Sequence, residues 1–318
     1  MDSILTSSAA AVFSQVLAEG EFIAAVGATL AGEPIILAGR GPLEGRPRFR
    51  YRIYTRDEKS WVAVDLEDPG VSMGTQFVAR LSQGRWLVAA GSGAKRRETA
   101  FVFDAVGKFV SSFDPGHDPQ RLASTEDGQI WIGYGEEPTG PIDDGGIVAL
   151  DEEGNVLFAF NPIADRHELP SVFDCYALNA TRTDEVWACY YTDFPLVRIR
   201  GHELVEIHKE QPVSGASAMA IGEGTVLFAG AWGFPQGVTG KEVVVYSQPY
   251  EPPPHVFRLL DLESYRFRDM EIAFPDGELF DTGKHPPGAM RFFARASRLF
   301  LRRPDGLFVV DVKGLRTT

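Results

Sequence analysis

The stretch spanning residues 126–160, EDGQIWIGYGEEPTGPIDDGGIVALDEEGNVLFAF, most constrains how this chain can fold. Glu126-Asp127-Gly128 is a turn signal, because glycine takes positive φ without steric cost. Ile130-Trp131-Ile132-Gly133-Tyr134 is a short apolar run of β-branched and aromatic residues, as expected of a strand buried on both faces. A polar loop rich in Gly and Pro, residues 135–146, leads to Ile147-Val148-Ala149-Leu150. Residues 151–155 form a hairpin loop, and residues 156–160 form the next strand. Upstream, residues 120–125 pair as the first strand. The unit is four short antiparallel strands.

Asp127-Gly128-Gln129-Ile130-Trp131-Ile132-Gly133 resembles the D-G-x-h-W-h-G repeat of several bacterial β-propellers, including those attached to sensor kinases. The resemblance implies a propeller blade, and weaker copies run along the chain. Six inner-strand candidates recur at roughly 40 to 75 residues, against about 40–50 for a propeller blade. The expected fold is therefore all-β: one six-bladed β-propeller over residues 1–318, with seven blades as the alternative. Blade one uses residues 22–30, 34–38, 48–55 and 61–66. Blade two uses 75–81, 86–90, 99–104 and 109–113, and blade three is the stretch above. Blade four uses 175–180, 186–191, 196–200 and 204–208. Blade five uses 216–221, 226–230, 242–247 and an outer strand near 256–262. Blade six has 290–294, 299–302 and 307–312, and then lacks a fourth strand. Residues 12–18 near the N-terminus can supply it, closing the ring by pairing the two ends. Residues 7–19 are also the best helical candidate. Residues 265–287 are ambiguous between an insertion, blade five's true outer strand and part of a seventh blade.

The 318 residues carry 33 Gly and 21 Pro, which suits many short turns. No apolar run approaches the roughly 18 residues of a membrane span, and the first residues lack the basic start of a secretory signal. Cys175 and Cys189 fall on adjacent strands. They read as two buried free thiols of a cytoplasmic chain, with a bridge as the other reading. The net charge is −13 and uneven: residues 110–195 hold 17 Asp and Glu against three Arg, 3 − 17 = −14. That sector argues against a nucleic-acid partner. It serves solubility or attracts a cation or a basic protein.

With strands lettered a to d from the axis outwards, the b–c loops and d–a connections share one rim. They include residues 91–98, 135–146, 161–174, 231–241 and 275–289. Long loops on a rigid scaffold are where binding sits, and the alternative is that they only cover the ring's end. The rim candidates are His117, Asp118, Asp143, Asp144, His167, Asp174, Asp193, Trp232 and His285. Carboxylates suit Ca²⁺ or Mg²⁺, and His with carboxylate suits Zn²⁺ or Mn²⁺. No pair has diagnostic ligand spacing, so solvated or turn-capping roles are the structural reading. Trp232-Gly233-Phe234-Pro235 and residues 190–195, YYTDFP, are aromatic segments suited to contact or to packing against the ring.

Other patterns are weaker. No G-x-S-x-G, P-loop, H-E-x-x-H or C-x-x-C is present. Residues 91–97, GSGAKRR, resemble a phosphate loop but precede a strand. Arg46, Arg48, Arg50 and Arg52 alternate along one strand face, and blade six carries Arg291, Arg295, Arg298, Arg302 and Arg303. They read as interblade ion pairs with residues such as Glu67 and Asp68, or as a seam for an anionic ligand.

Propellers that resemble this chain include scaffolds, sensor domains and a minority of enzymes. The enzymes include Ca²⁺-dependent lactonases and esterases, and lyases with a central metal. That resemblance implies ligands from several blades at the channel mouth, for which Asp174 and Asn179 are the nearest candidates. The fold alone licenses no activity. The leading expectation is a non-catalytic scaffold, with no cofactor, that binds a protein or small molecule on the long-loop rim. The alternative is a metal-dependent hydrolase or lyase of the Ca²⁺ type with its site at the channel mouth.

Overall fold

Two short strands open the described chain, β1 (Leu5–Ser8) and β2 (Ala10–Phe13). The computed structural model describes residues 5–13, 17–41, 50–57, 60–69, 73, 76–91, 99–136, 140–209, 213–230, 256–280, 292–303 and 306–316. By packing, the chain divides into two compact units. One comprises Gln15–Cys175 and Arg182–Asp184; the other comprises Met1–Ser14, Tyr176–Thr181 and Glu185–Thr318.

The first unit is built from three antiparallel sheets. Sheet one is β3 (Glu21–Ala28), β4 (Pro34–Arg40), β5 (Arg50–Asp57) and β6 (Ser60–Asp65), in that order. Sheet two is β7 (Phe77–Arg80), β8 (Trp86–Ala89), β9 (Ala100–Phe103) and β10 (Phe109–Phe113). Sheet three is β11 (Pro119–Ser124), β12 (Ile130–Tyr134), β13 (Ile147–Leu150) and β14 (Val156–Ala159). The pattern of burial explains the sequence. Every residue of β8, β9, β12 and β13 is buried, so these strands are apolar throughout rather than alternating. The last strand of sheet three exposes Val156 and Leu157. Ile35, Leu37, Ile53, Val78, Trp86, Val88 and Phe103 form one core between the first two sheets.

A six-residue helix, α1 (Asn161–Arg166), follows β14 and leads to β15 (Asp174–Arg182). The fourth sheet continues with β16 (Glu185–Tyr191), β17 (Leu196–Arg200) and β18 (Glu203–His208). Next come β19 (Ala218–Ile221), β20 (Thr225–Ala229), β21 (Val256–Asp261) and β22 (Phe267–Ala273), then β23 (Phe292–Arg295), β24 (Arg298–Arg303) and β25 (Gly306–Asp311). Six sheets are thus present among the described residues, and the fold is a six-bladed β-propeller.

The N-terminal strands complete two of these sheets. β2 pairs antiparallel with β25, Ala10 opposite Val309 and Ala11 opposite Phe308, and supplies the missing fourth strand. It runs over Ala10–Phe13, earlier than the expected 12–18. β1 adds a fifth strand, parallel to β22, with Leu5 opposite Met270. Of the two readings open for residues 7–19, helix or strand, the described residues up to Phe13 take the strand, because the open edges of β22 and β25 offer ladder partners that an isolated helix lacks. In the fifth sheet, Val256–Asp261 is the third strand rather than the outer one, with Leu227 opposite Leu259. The expected strand at 242–247 lies outside the described residues. The ambiguous 265–287 segment contains the sheet's fourth strand, β22, which β1 then flanks.

Candidate functional site

His167 follows α1 and Asp174 opens β15 of the fourth sheet, while the sites for His117, Asp118, Asp143 and Asp144 come to one end of sheet three. β11 begins there at Pro119, β12 ends there at Tyr134, and β13 begins there at Ile147. Asp143, in a single 3-10 turn at Asp143–Gly145, is buried. Its Oδ1 accepts from the His117 N–H at 3.3 Å, and its Oδ2 from the Gly140 N–H at 3.1 Å. The Tyr134 hydroxyl donates to the Pro115 carbonyl. Burial, then the charges of Asp143 and Asp114, push the Tyr134 phenol well above its ordinary pKa, so it stays a donor. Asp118 Oδ1 accepts from Gln120 Nε2 at 2.9 Å, and its carbonyl accepts from the Gly135 N–H at 3.2 Å.

The connection to β15 is pinned by one amide. Asn161 Nδ2 donates to the Asp144 carbonyl at 2.9 Å, and its Oδ1 accepts from the Val172 N–H at 2.8 Å. Gly146 (φ 69°) makes this possible: a Cβ there would lie 2.6 Å from Val172 and 2.7 Å from Asn161. The segments 114–118, 140–146 and 161–172 are therefore tied to one another. On this framework His117, Asp144 and His167 are exposed, and Asp118 and Asp174 are half-buried.

Asp193 lies in the other unit, exposed, on a loop with positive φ at both Asp193 (66°) and Phe194 (52°). Trp232 and His285 lie outside the described residues, as do residues 92–97 of the phosphate-loop lookalike. Among the described residues, no group of three or more His, Cys, Asp and Glu side chains is placed to hold a metal ion. Asn179, the inner-strand ligand candidate, is engaged elsewhere. It is fully buried; its Nδ2 donates to the Met219 and Ala296 carbonyls at 2.8 and 2.9 Å, and its Oδ1 accepts from the Ala296 N–H at 2.8 Å.

The arginine expectation is met in part: Arg303 of β24 pairs across to the turn after β22 in the fifth sheet, while Arg52 and Arg298 pair within their own sheets. Arg52 pairs within its own sheet, with Asp65 at 2.6 Å and Glu21 at 3.5 Å, because both lie on the strands flanking it or one further. Glu67 instead accepts the Phe109 N–H at 3.0 Å. Arg298 pairs with Asp311 at 3.6 Å, and Arg303 with Asp276 at 2.8 Å. Arg46, Arg48 and Arg291 lie outside the described residues. Cys175 and Cys189 are buried thiols that form no disulfide.

The fourth sheet holds two features, one anticipated and one missed. The anticipated one is aromatic: Tyr176 and Tyr191 pack on Phe194 with ring centroids 5.6 and 5.5 Å apart, and Tyr191 is 38% exposed. The missed one is polar. Buried Glu185 accepts from Arg198 at 2.7 Å, Arg200 at 2.5 Å and Thr181 at 2.5 Å. Arg198 also reaches Glu206 at 3.0 Å. Burial raises the Glu185 pKa, but hydrogen bonds from Thr181, Arg200 and Arg198 outweigh it and hold the carboxyl at about 2. The Arg198-x-Arg200 and Glu206-x-His208 alternations put these groups on one strand face, which is the sequence signal that would have found them.

The model of the YxzG family matches residues 147–233. No curated protein matches the sequence. Among solved structures, a gluconolactonase from Xanthomonas campestris is similar at 13% identity and a TM-score of 0.45, over 95% of this chain and 97% of that one. Streptogramin B lyase is similar at 9% identity and a TM-score of 0.45, over 93% and 95%. YCF48 bound to a D1 peptide is similar at 11% identity and a TM-score of 0.48, over 96% and 82%. At these identities and scores, none of them carries an activity over to this chain.

Proposed function

We propose that this chain is a non-catalytic propeller that binds a protein or small ligand through its long-loop edge. The observation that carries the reading is the pinning of the sheet-three loops by Asp143 and Asn161. Exposed His117, Asp144 and His167 thereby stand on ordered backbone, and an ordered loop loses little conformational entropy on binding. The charge of residues 110–195, 17 acidic against three Arg, favours a partner bearing cationic groups. Exposed Tyr191 beside Tyr176 and Phe194 adds aromatic contact area on the fourth sheet. The same charge disfavours nucleic acid. No described helix is long and apolar enough to cross a membrane. We place the protein in the cytoplasm, where two buried thiols without a disulfide persist reduced.

Fluorescence polarisation with a panel of labelled basic, neutral and acidic peptides tests this. Basic peptides should bind, and Asp144→Asn with Glu168→Gln, the exposed neighbour of His167, should weaken them about fivefold without changing the melting temperature. A panel without a binder, or binding indifferent to those substitutions, would overturn the reading.

The alternative, a Ca²⁺-type hydrolase or lyase, draws support from the carboxylates Asp118, Asp143 and Asp144 at one end of sheet three and from Asp174 at the start of β15. It stands second because the side chains of Asp118 and Asp143 hold neighbouring groups and because no three-ligand group occurs among the described residues.

A further inference from the structure

Glu206, His208 and Tyr265 form a carboxylate–imidazole–hydroxyl chain far in sequence from the sheet-three loops. Glu206 and His208 are two residues apart on β18 and so share a face. Glu206 Oε1 lies 2.8 Å from His208 Nε2, and Tyr265 Oη lies 2.5 Å from His208 Nδ1. The imidazole is buried and its plane is fixed by stacking on Trp187, at 15° and 6.2 Å between centroids. Arg198 Nη1 holds the second oxygen of Glu206 at 3.0 Å. Tyr265 sits in the hairpin between β21 and β22, where its N–H donates to the Asp261 carbonyl at 3.0 Å. Asp261 Oδ1 in turn accepts from the Ser264 N–H and hydroxyl, both at 2.7 Å. Tyr265 is nevertheless 45% exposed.

This arrangement fixes a tautomer. A neutral imidazole carries one ring proton, and Glu206, an acceptor only, draws it to Nε2. Nδ1 is then left with its lone pair facing the Tyr265 hydroxyl. A nucleophile hydrogen-bonded to a base that a third group orients is the general arrangement of covalent catalysis.

We propose that Tyr265 is an acyl-acceptor site for activated carboxylic esters, with His208 as its base and Glu206 as the positioning residue. The Tyr265 oxygen bonds to the carbonyl carbon while its proton passes to His208 Nδ1. Glu206 stabilises the imidazolium that forms. The bond from the carbonyl carbon to the leaving oxygen then breaks, and His208 returns the proton to that oxygen. The products are the Tyr265 ester and a free alcohol or phenol, with no oxidant or reductant needed. The modification is stoichiometric, and so is independent of the binding function proposed above.

The test uses p-nitrophenyl acetate on the full chain, with peptide mass mapping of acetylated tyrosines over time. Tyr191 is the internal reference, since it is exposed to a similar degree and belongs to an aromatic cluster. Tyr265 should be acetylated about a hundredfold faster than Tyr191, the scale of general-base assistance. His208→Gln should bring the ratio near one. Glu206→Gln, which keeps an acceptor for Nε2–H but removes the charge, should lower it severalfold with Tyr191 unchanged. The wild-type ratio alone decides the matter if the His208 variant fails to fold. A ratio below about tenfold, or one unchanged in a folded His208→Gln protein, overturns the proposal.

Discussion

Asn179 commits both its amide hydrogens and its carbonyl oxygen to backbone groups of β19 and the turn at Ala296. Removing a buried polar partner costs the desolvation of whatever it leaves behind, so Asn179→Ala should destabilise by about 3 kcal/mol. Denaturant unfolding checks this, and a cost under about 0.5 kcal/mol would mean water had replaced the amide. Asn on an inner strand looks the same in sequence whether it faces a channel or a neighbouring strand's carbonyl, so the ligand reading of Asn179 could not be separated from this one beforehand. Asp143 shows the same limit: its acidity was legible, but its use as an acceptor for the His117 and Gly140 N–H groups depends on loop geometry. Glu185 yields a pH signature. Its folded pKa, about 2, lies below the ordinary 4.5, so its stabilisation is fully present above pH 4.5 and is lost as pH falls toward 2. Urea midpoints measured across that window should fall more steeply for wild type than for Glu185→Gln. Equal slopes would show that the arginine pair contributes nothing specific.

At the scale of elements, strands buried on both faces announced themselves and strands defined by a distant partner did not. Ile130–Tyr134 and Ile147–Leu150 have every residue buried, and uninterrupted apolar runs bounded by turn residues gave both bounds. β2 is four residues of AAVF whose short pattern fits either a helix or a strand. Only the open edge of β25, near the other end of the sequence, decides it. The fifth sheet posed the same problem, since two apolar runs competed for the third position and pairing with β20 selects Val256–Asp261. This pairing makes a contrast between outer strands measurable. Phe13 of β2 is 4% exposed, whereas Val156 of β14 is 49% exposed. Phe13→Ala should therefore cost about 3 kcal/mol, by lost transfer energy and a residual cavity. Val156→Ala should stay within about 0.5 kcal/mol. Guanidinium midpoints at unchanged slope report both. A Phe13→Ala cost no larger than that of Val156→Ala would mean that β2 is only loosely attached to β25.

For the whole molecule, the choice between scaffold and metal enzyme becomes a question of linkage. A chain of net charge −13 repels itself, so any cation that screens this charge raises stability slightly. A specific ion does something different: it binds the folded state alone and stabilises it by about 2.7 kcal/mol at a hundredfold excess over its Kd. Thermal unfolding with EDTA, and then with Ca²⁺, Mg²⁺, Zn²⁺ and Mn²⁺ against NaCl of matched ionic strength, separates the two effects. On the scaffold reading, all four ions should move the melting temperature no further than NaCl does. A rise confined to one ion and reversed by EDTA would reverse the ranking of the two proposals. Asp144→Asn and Asp174→Asn would then locate the ion: if it sits at that end of sheet three or at the start of β15, one or the other abolishes the rise. If both leave it intact, the ligands come from another part of the chain, and that end of sheet three keeps its role as a binding surface.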